Sequence, residues 1–240
     1  MKEMFCKEKI IMPPKKLLIT ENIVYSWLLT TSGGCQTAYS YINHNGVFAG
    51  FQSGNIIKLG IHIGTGNFHN ILLFIVSILS FLLGTAFARI LHYRFYDDEN
   101  HFKRHYFVMV YSMFLMALSA IATQYINDLL AVCLLTLATA SQFEEFRSVK
   151  GTPYTPMMMT GNLRKLTENL FDYLFYPNDE VKQLAKSNVI YISTILVCYI
   201  TGTIFVSFLQ QFLGLATIII PISLTGTALF WLMIHAHQLS

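Results

Sequence analysis

Ser53-Gly54-Asn55-Ile56-Ile57-Lys58-Leu59 returns later in the chain as Thr160-Gly161-Asn162-Leu163-Arg164-Lys165-Leu166. Both copies have the form hydroxyl-Gly-Asn-x-x-Lys-Leu. Each follows an apolar stretch and precedes another that contains Gly-Thr-x-Phe, at Gly84-Thr85-Ala86-Phe87 and Gly202-Thr203-Ile204-Phe205. Lining up the phrases takes a shift of 107 residues and lining up the Gly-Thr-x-Phe segments takes 118, so the second half carries an insertion. It falls around Phe171–Gln183, where Pro177-Asn178-Asp179-Glu180 reads as a turn and a helix start. The chain reads as a duplicated unit.

Hydrophobic residues make up 54% of the chain and charged residues 12%, which is half the roughly 25% of a soluble domain and marks a membrane protein. Runs long enough to cross a hydrocarbon core, about 20 residues each, are predicted at Ile23–Ile42, Ile71–Leu91, Tyr106–Ile126, Leu129–Phe143, Asn188–Leu213 and Ala216–Ala236. Three spans per half is an odd number, so the halves insert in opposite orientations. The expected fold is an all-α polytopic membrane bundle of six spans, arranged as two inverted three-span repeats, each with a re-entrant or broken half-helix. Residues 1–20 form a cytoplasmic tail, 21–126 the first repeat and 127–240 the second.

The charges set the orientation. With the N-terminus in the cytoplasm, fifteen of the sixteen Lys and Arg side chains fall on one face and Lys58 alone on the other. Both termini are then cytoplasmic, and the basic excess serves topology, not nucleic-acid binding. The first residues, with Pro13-Pro14 and no apolar core before a small-residue cleavage site, do not read as a removable signal peptide. Cys6, Cys35, Cys133 and Cys198 show no Cys-x-x-Cys spacing, so neither disulfides nor a metal cluster is expected.

Gly46–Gly66 is long enough for a seventh span. A seventh crossing would invert the charge bias, and the stretch holds Lys58 with Gly50, Gly54, Gly60, Gly64 and Gly66, so a half-helix is preferred. A hydroxyl-Gly-Asn phrase suits the start of a half-helix: glycine permits the turn, the hydroxyl caps free amides, and the Asn amide both donates and accepts. Exposed amides there attract an anion or a substrate oxygen, and Lys58, Lys165 or Arg164 would add positive charge. The candidate substrate-binding residues are therefore Ser53, Gly54, Asn55, Thr160, Gly161 and Asn162. The competing reading is that each phrase only ends a loop and locks it by hydrogen bonds.

The first span carries Thr30-Thr31-Ser32-Gly33-Gly34-Cys35-Gln36-Thr37, too polar to face lipid. Gln36, with Gln142 in the matching place of the fourth span, either lines a cavity or pins two helices. Thr37 joins the same list of candidates. Glu144 and Glu145, with Arg147 and Lys150, read first as a salt-bridged helix end and second as coupling carboxylates. Met157-Met158-Met159 reads as packing and His235-x-His237 as a tail. No Gly-x-Ser-x-Gly elbow, His-Glu-x-x-His or phosphate loop occurs, so an enzyme is not expected, nor a cofactor or a metal.

Several phrases carry a resemblance: Gly33-Gly34-Cys35-Gln36-Thr37-Ala38-Tyr39-Ser40-Tyr41, Gly46-Val47-Phe48, Ser53-Gly54-Asn55, Gln142-Phe143-Glu144-Glu145-Phe146-Arg147 and Met159-Thr160-Gly161-Asn162. In this order and spacing they resemble the YoaK-like family of uncharacterised bacterial integral membrane proteins, over roughly Gly33–Leu91 and Gln142–Phe205. Thr37 stands where that family has an acidic residue, and Phe143-Glu144 replaces Asn-Ala. The resemblance implies a helical bacterial inner-membrane protein and supplies no activity.

Together these features lead to the expectation of a small-solute transporter or channel, its site between the two phrases, with Gln36 and Gln142 along the path. The alternative is a non-transporting membrane scaffold. The expected partners are the lipid bilayer and a small solute, with no nucleic acid. Gly84 and Gly202 serve either self-association or packing within one chain.

Overall fold

The computed structural model describes residues 22–95, 102–146, 148–149, 152–153 and 159–236. The expected tail 1–20, and with it Pro13-Pro14, lies outside the described residues, as do Arg147, Lys150, Met157, Met158 and His237. Among the described residues the regular elements are helices apart from a two-residue antiparallel ladder, β1 (Ser148–Val149) on β2 (Thr152–Pro153). The helices are α1 (Ile23–Asn43), α2 (Gln52–Gly64), α3 (Ile71–Arg94), α4 (Phe102–Tyr125), α5 (Asp128–Glu145), α6 (Met159–Phe175), α7 (Asp179–Leu213) and α8 (Ile219–Ala236). Asparagines begin three of them. The side chains of Asn22, Asn127 and Asn178 accept from Val24, Leu130, and Glu180 and Val181 amides respectively, covering donors that the first turn leaves free.

Among the described residues, three helical stretches are long and apolar enough to cross a membrane: Ile71–Arg94, Phe102–Tyr125 and Asp179–His235. The last joins two expected spans, α7 and α8, through a 3-10 turn at Gly214–Ile218. The expected spans Ile23–Ile42 and Leu129–Phe143 form as α1 and α5 but are too polar to join that group. Their polar side chains point inward instead: Thr30, Ser32, Gln36 and Ser40 on α1, and Thr136, Thr139, Ser141 and Gln142 on α5, are all buried. The apolar helices surround them, α7 and α8 packing on α1, and α3 and α4 on α5. On α3 the large side chains Leu72, Leu79, Leu82, Leu83 and Ile90 face outward. A polar interior with apolar outer helices is the arrangement compatible with a membrane protein.

The central helices run antiparallel. The end of α1 meets the start of α5 through His44 and Asp128, 3.3 Å apart, and its start meets the far end of α5 through Tyr25 and Phe146, ring centroids 5.8 Å apart. Each central helix also takes the same contact from its neighbour. A methyl group on Gly202 of α7 would run into the carbonyl oxygen of Thr31 on α1, and one on Gly84 of α3 would lie 2.8 Å from the carbonyl oxygen of Leu137 on α5. The Cys35 thiol donates to the Gly202 carbonyl at 3.4 Å, and the Ser141 hydroxyl to the Gly84 carbonyl at 3.3 Å. Thr31 and Leu137, like Cys35 and Ser141, are separated by 106 residues. These contacts employ both glycines within a single chain.

The short helices lie outside the central pair, α2 on α3 and α6 on α7. Of Gly46–Gly66 only the 13 residues of α2 are helical. At 1.5 Å per residue this is about 20 Å, short of a hydrocarbon core of about 30 Å. Asn45 and Gly46, with φ of 51° and 74°, turn the chain out of α1 toward it.

Gly84→Val and Gly202→Val are each expected to lower stability by about 1–3 kcal/mol through overpacking against backbone that cannot retreat. Gly60→Ala, where a Cβ meets nothing within 4 Å, should not. Thermal unfolding of the purified protein in detergent reads the difference.

Candidate functional site

The first glycine phrase opens α2. Asn55, fully buried, grips the backbone of one residue from both sides: its Oδ1 accepts from the Phe48 amide at 2.9 Å and its Nδ2 donates to the Phe48 carbonyl at 2.7 Å. Nδ2 also donates to Gln52 Oε1 at 2.8 Å and to the Ser77 hydroxyl of α3 at 3.0 Å. Ser77 in turn donates to the Phe48 carbonyl and lies 3.3 Å from Thr136 of α5. Gly54 provides room for this turn, since a Cβ there would strike the Phe48 and Phe51 rings. Lys58 completes the clamp: its ammonium donates to the Gly46 carbonyl and lies 4.4 Å and 4.9 Å from the ring centroids of Tyr41 and Phe48. The loop before α2 is thus tied at three points.

The hydroxyl of the phrase does not do the capping expected of it. α2 begins at Gln52, its N-cap Phe51 makes no side-chain bond, and Ser53 is exposed as the second helical residue. Thr160 is likewise the exposed second residue of α6, beside exposed Gly161. Asn162 is buried and its amide faces the Met159 sulfur at 3.8 Å. Arg164 pairs with Glu168 one turn on, at 2.8 Å on the exposed face, with Lys165 half-buried beside it. The two phrases stand on different helix pairs, α2 with α3 and α6 with α7. Every hydrogen-bond partner of Asn55 belongs to the loop before α2, to α2 or to α3, whereas Asn162 sits on the α6–α7 pair.

Gln36 and Gln142 do meet. Gln36 Nε2 donates to Gln142 Oε1 at 3.0 Å and to the Ser32 hydroxyl at 3.1 Å, and Gln36 Oε1 accepts from the Thr139 hydroxyl at 3.0 Å. Ser32 bonds onward to the Pro221 carbonyl and the Thr225 hydroxyl of α8, each at 3.0 Å. All five side chains are buried. Gln142 Nε2 is buried as well and has no hydrogen-bond partner among the described residues. Gln36 stands two thirds of the way along α1 and Gln142 three residues before the end of α5, and this neutral polar layer lies where the two antiparallel helices meet. Thr37 looks elsewhere: its hydroxyl donates to Gly33 in its own helix and meets Tyr199 of α7.

Ionic groups mark the two ends of the central pair. At one end Glu145 accepts from Arg104 at 2.6 Å and lies 2.5 Å from His105 Nδ1, while Glu144 pairs with Arg89 at 3.5 Å. These partners come from α3 and α4, far away in the chain. At the other end His44, fully buried, faces Asp128. Burial pushes the His44 ring below its ordinary pKa, against the opposing pull of Asp128. A base lowered in this way favours the unfolded state as pH falls.

Ser32, Thr139 and Thr225 in the central layer, and His44 at its outer end, are site features that the phrase-centred reading missed. The available signal was Ser32 four residues before Gln36, one helical turn, which sets the two side chains on one face.

Asn55→Ala is expected to cost about 1–3 kcal/mol by taking the acceptor from the Phe48 amide, and Ser53→Ala less than about 0.5 kcal/mol. Acidification below the ordinary histidine range should destabilise the protein, and His44→Gln should flatten that slope. Unfolding midpoints across pH measure both.

No curated protein and no solved structure gives a significant match. A family profile, described as Protein of unknown function (DUF1275), matches residues 25–231. That stretch runs from Tyr25 at the start of α1 to Trp231 in α8 and takes in both glycine phrases and the central glutamine layer, so the chain belongs to the DUF1275 family.

Proposed function

We propose that the protein is a multi-pass transporter or channel for a small solute, of a bacterial inner membrane, with both termini cytoplasmic. Six spans form two inverted repeats, residues 21–126 and 127–240, each contributing one polar central helix, one half-helix and two outer helices. Support comes from the recurrence of one contact set. α1 takes Gly202 of α7 as α5 takes Gly84 of α3, with Cys35 and Ser141 bonding the glycine carbonyls at equivalent places. Antiparallel α1 and α5 are what an inverted pair of central helices requires.

The observation that carries the functional reading is the buried layer Ser32–Gln36–Gln142–Thr139. Four neutral donor–acceptor side chains buried between the two central helices, bonded onward to Thr225 of α8, cost stability that an apolar core would not. In membrane bundles, buried polar groups of this kind mark the path of a solute. The solute site is therefore assigned to Gln36 and Gln142. Ser53, Gly54, Asn55 and Lys58, and in the other half Thr160, Gly161 and Asn162, brace the half-helices beside it. Glu145 and Glu144, neutralised by Arg104, His105 and Arg89, hold the end of α5 against α4 and α3.

The alternative, a non-transporting scaffold, is favoured by one observation, the spending of Asn55 and Lys58 on their own loop. Uptake into proteoliposomes separates the two. Transport predicts solute entry above that of empty vesicles, reduced about tenfold or more by Gln36→Leu, equivalent to about 1.4 kcal/mol. Entry indistinguishable from empty vesicles across sugars, polyols, amides, amino acids and ions would sink the transport reading.

A further inference from the structure

The two glutamines occupy equivalent places but are not equally satisfied. Gln36 uses both its amide nitrogen and its oxygen, whereas Gln142 uses only its oxygen and keeps a buried NH2 group without a partner among the described residues. The difference traces to single residues. Gln36 finds the Ser32 hydroxyl four residues back, one turn along the same helix. Four residues before Gln142 stands Ala138, which has no hydroxyl. On the oxygen side, Thr139 serves Gln36, and the residue equivalent to Thr139 on α1 is Gly33, which has no side chain to offer.

A buried amide donor left unpaired is destabilising, and a serine at 138 would remove the defect by the device already present at Ser32. Its retention in a layer where every other amide group is paired points to a donor kept free for something that arrives. We infer that Gln142 Nε2 is the recognition donor of the central site, and that it takes an oxygen acceptor, carbonyl or hydroxyl, of a small uncharged solute. This rests on the reading of the central layer as a solute path.

The absence of charge in the solute follows from the surroundings. The contacts of the layer are hydroxyl, amide and backbone carbonyl groups only. The nearest carboxylates along α5, Glu144 and Glu145, already take Arg89 in the first case and Arg104 and His105 in the second. An ion entering here would lose its hydration with no free counter-charge to replace it. An uncharged solute with both donor and acceptor groups fits: its oxygen meets Gln142 Nε2, and its own donor has the hydroxyl oxygens of Ser32, Thr139 and Thr225 within the same layer.

The test uses the full chain in proteoliposomes with glycerol, urea and acetamide as uncharged probes and acetate and methylammonium as their charged counterparts. Thermal unfolding of the same preparations is followed in parallel. Ala138→Ser should give Gln142 an internal acceptor, so the expected result is an equal or higher unfolding midpoint together with loss of uncharged-probe entry by about tenfold or more. Gln142→Met, which keeps side-chain volume and leaves Gln36 its bond to Ser32, should lose entry likewise and decides the matter if Ala138→Ser does not fold. Entry by the wild type that both variants leave unchanged would overturn the inference while leaving transport standing. The partner of Gln142 would then be a resident water only. Entry confined to the charged probes would overturn it too, and a wild type that admits none of the probes or any other solute would overturn the transport reading and this inference together.

Discussion

Two helices of this protein, α1 and α5, are too rich in hydroxyl, glycine and amide residues to face hydrocarbon, and the rest of the architecture follows from enclosing them. A hydroxyl or amide exposed to lipid loses its water partners and gains nothing in return. Buried against protein, the same groups find each other or a carbonyl. The apolar helices α3, α4, α7 and α8 therefore stand outside, turning leucines and isoleucines outward and small or polar residues inward. Ser77, Ser80, Gly84 and Ala88 on α3 are buried while Leu79, Leu82, Leu83 and Ile90 are exposed.

Enclosure works because backbone can approach backbone. Without an aqueous hydrophobic effect to press helices together, close packing and short polar contacts carry the association. Gly202 and Gly84 allow the Thr31 and Leu137 carbonyls to come into direct contact with a neighbouring helix, and the glycine carbonyls are answered by the Cys35 thiol and the Ser141 hydroxyl. One residue thereby provides both the space and the acceptor. That this solution appears twice, at matching positions, ties the geometry of one half to that of the other.

The same economy distinguishes the glycine phrases from the central layer. Asn55 directs its amide to Phe48, Gln52 and Ser77, and Lys58 directs its ammonium to a carbonyl and two aromatic rings, so these groups hold a loop. Gln142 is different, for its NH2 group is buried and unspent among the described residues. It belongs to a neutral polar layer between α1 and α5, with the carboxylates of Glu144 and Glu145 paired at one end and His44 facing Asp128 at the other.

Composition and periodicity were enough to read an all-helical, membrane-compatible chain, the extents of most helices, the helix start at Asn178, and the correspondence of Gln36 with Gln142. Those features depend on local residue chemistry and on spacing along one helix. The short helix in Gly46–Gly66 was also legible, because six glycines and a lysine do not sustain a lipid-facing span. What a repeated Ser/Thr-Gly-Asn phrase could not disclose was whether its amides face a solute or their own loop, since both uses call for the same residues. Nor could Glu144 and Glu145 name Arg89, Arg104 and His105 as partners, or His44 name Asp128, at separations of tens of residues along the chain. Sequence determined which groups are polar and where along each helix they stand. Only the packing of α1 against α5 decided which of them are spent on one another and which is left over, because hydrogen-bond satisfaction is a property of neighbours in space.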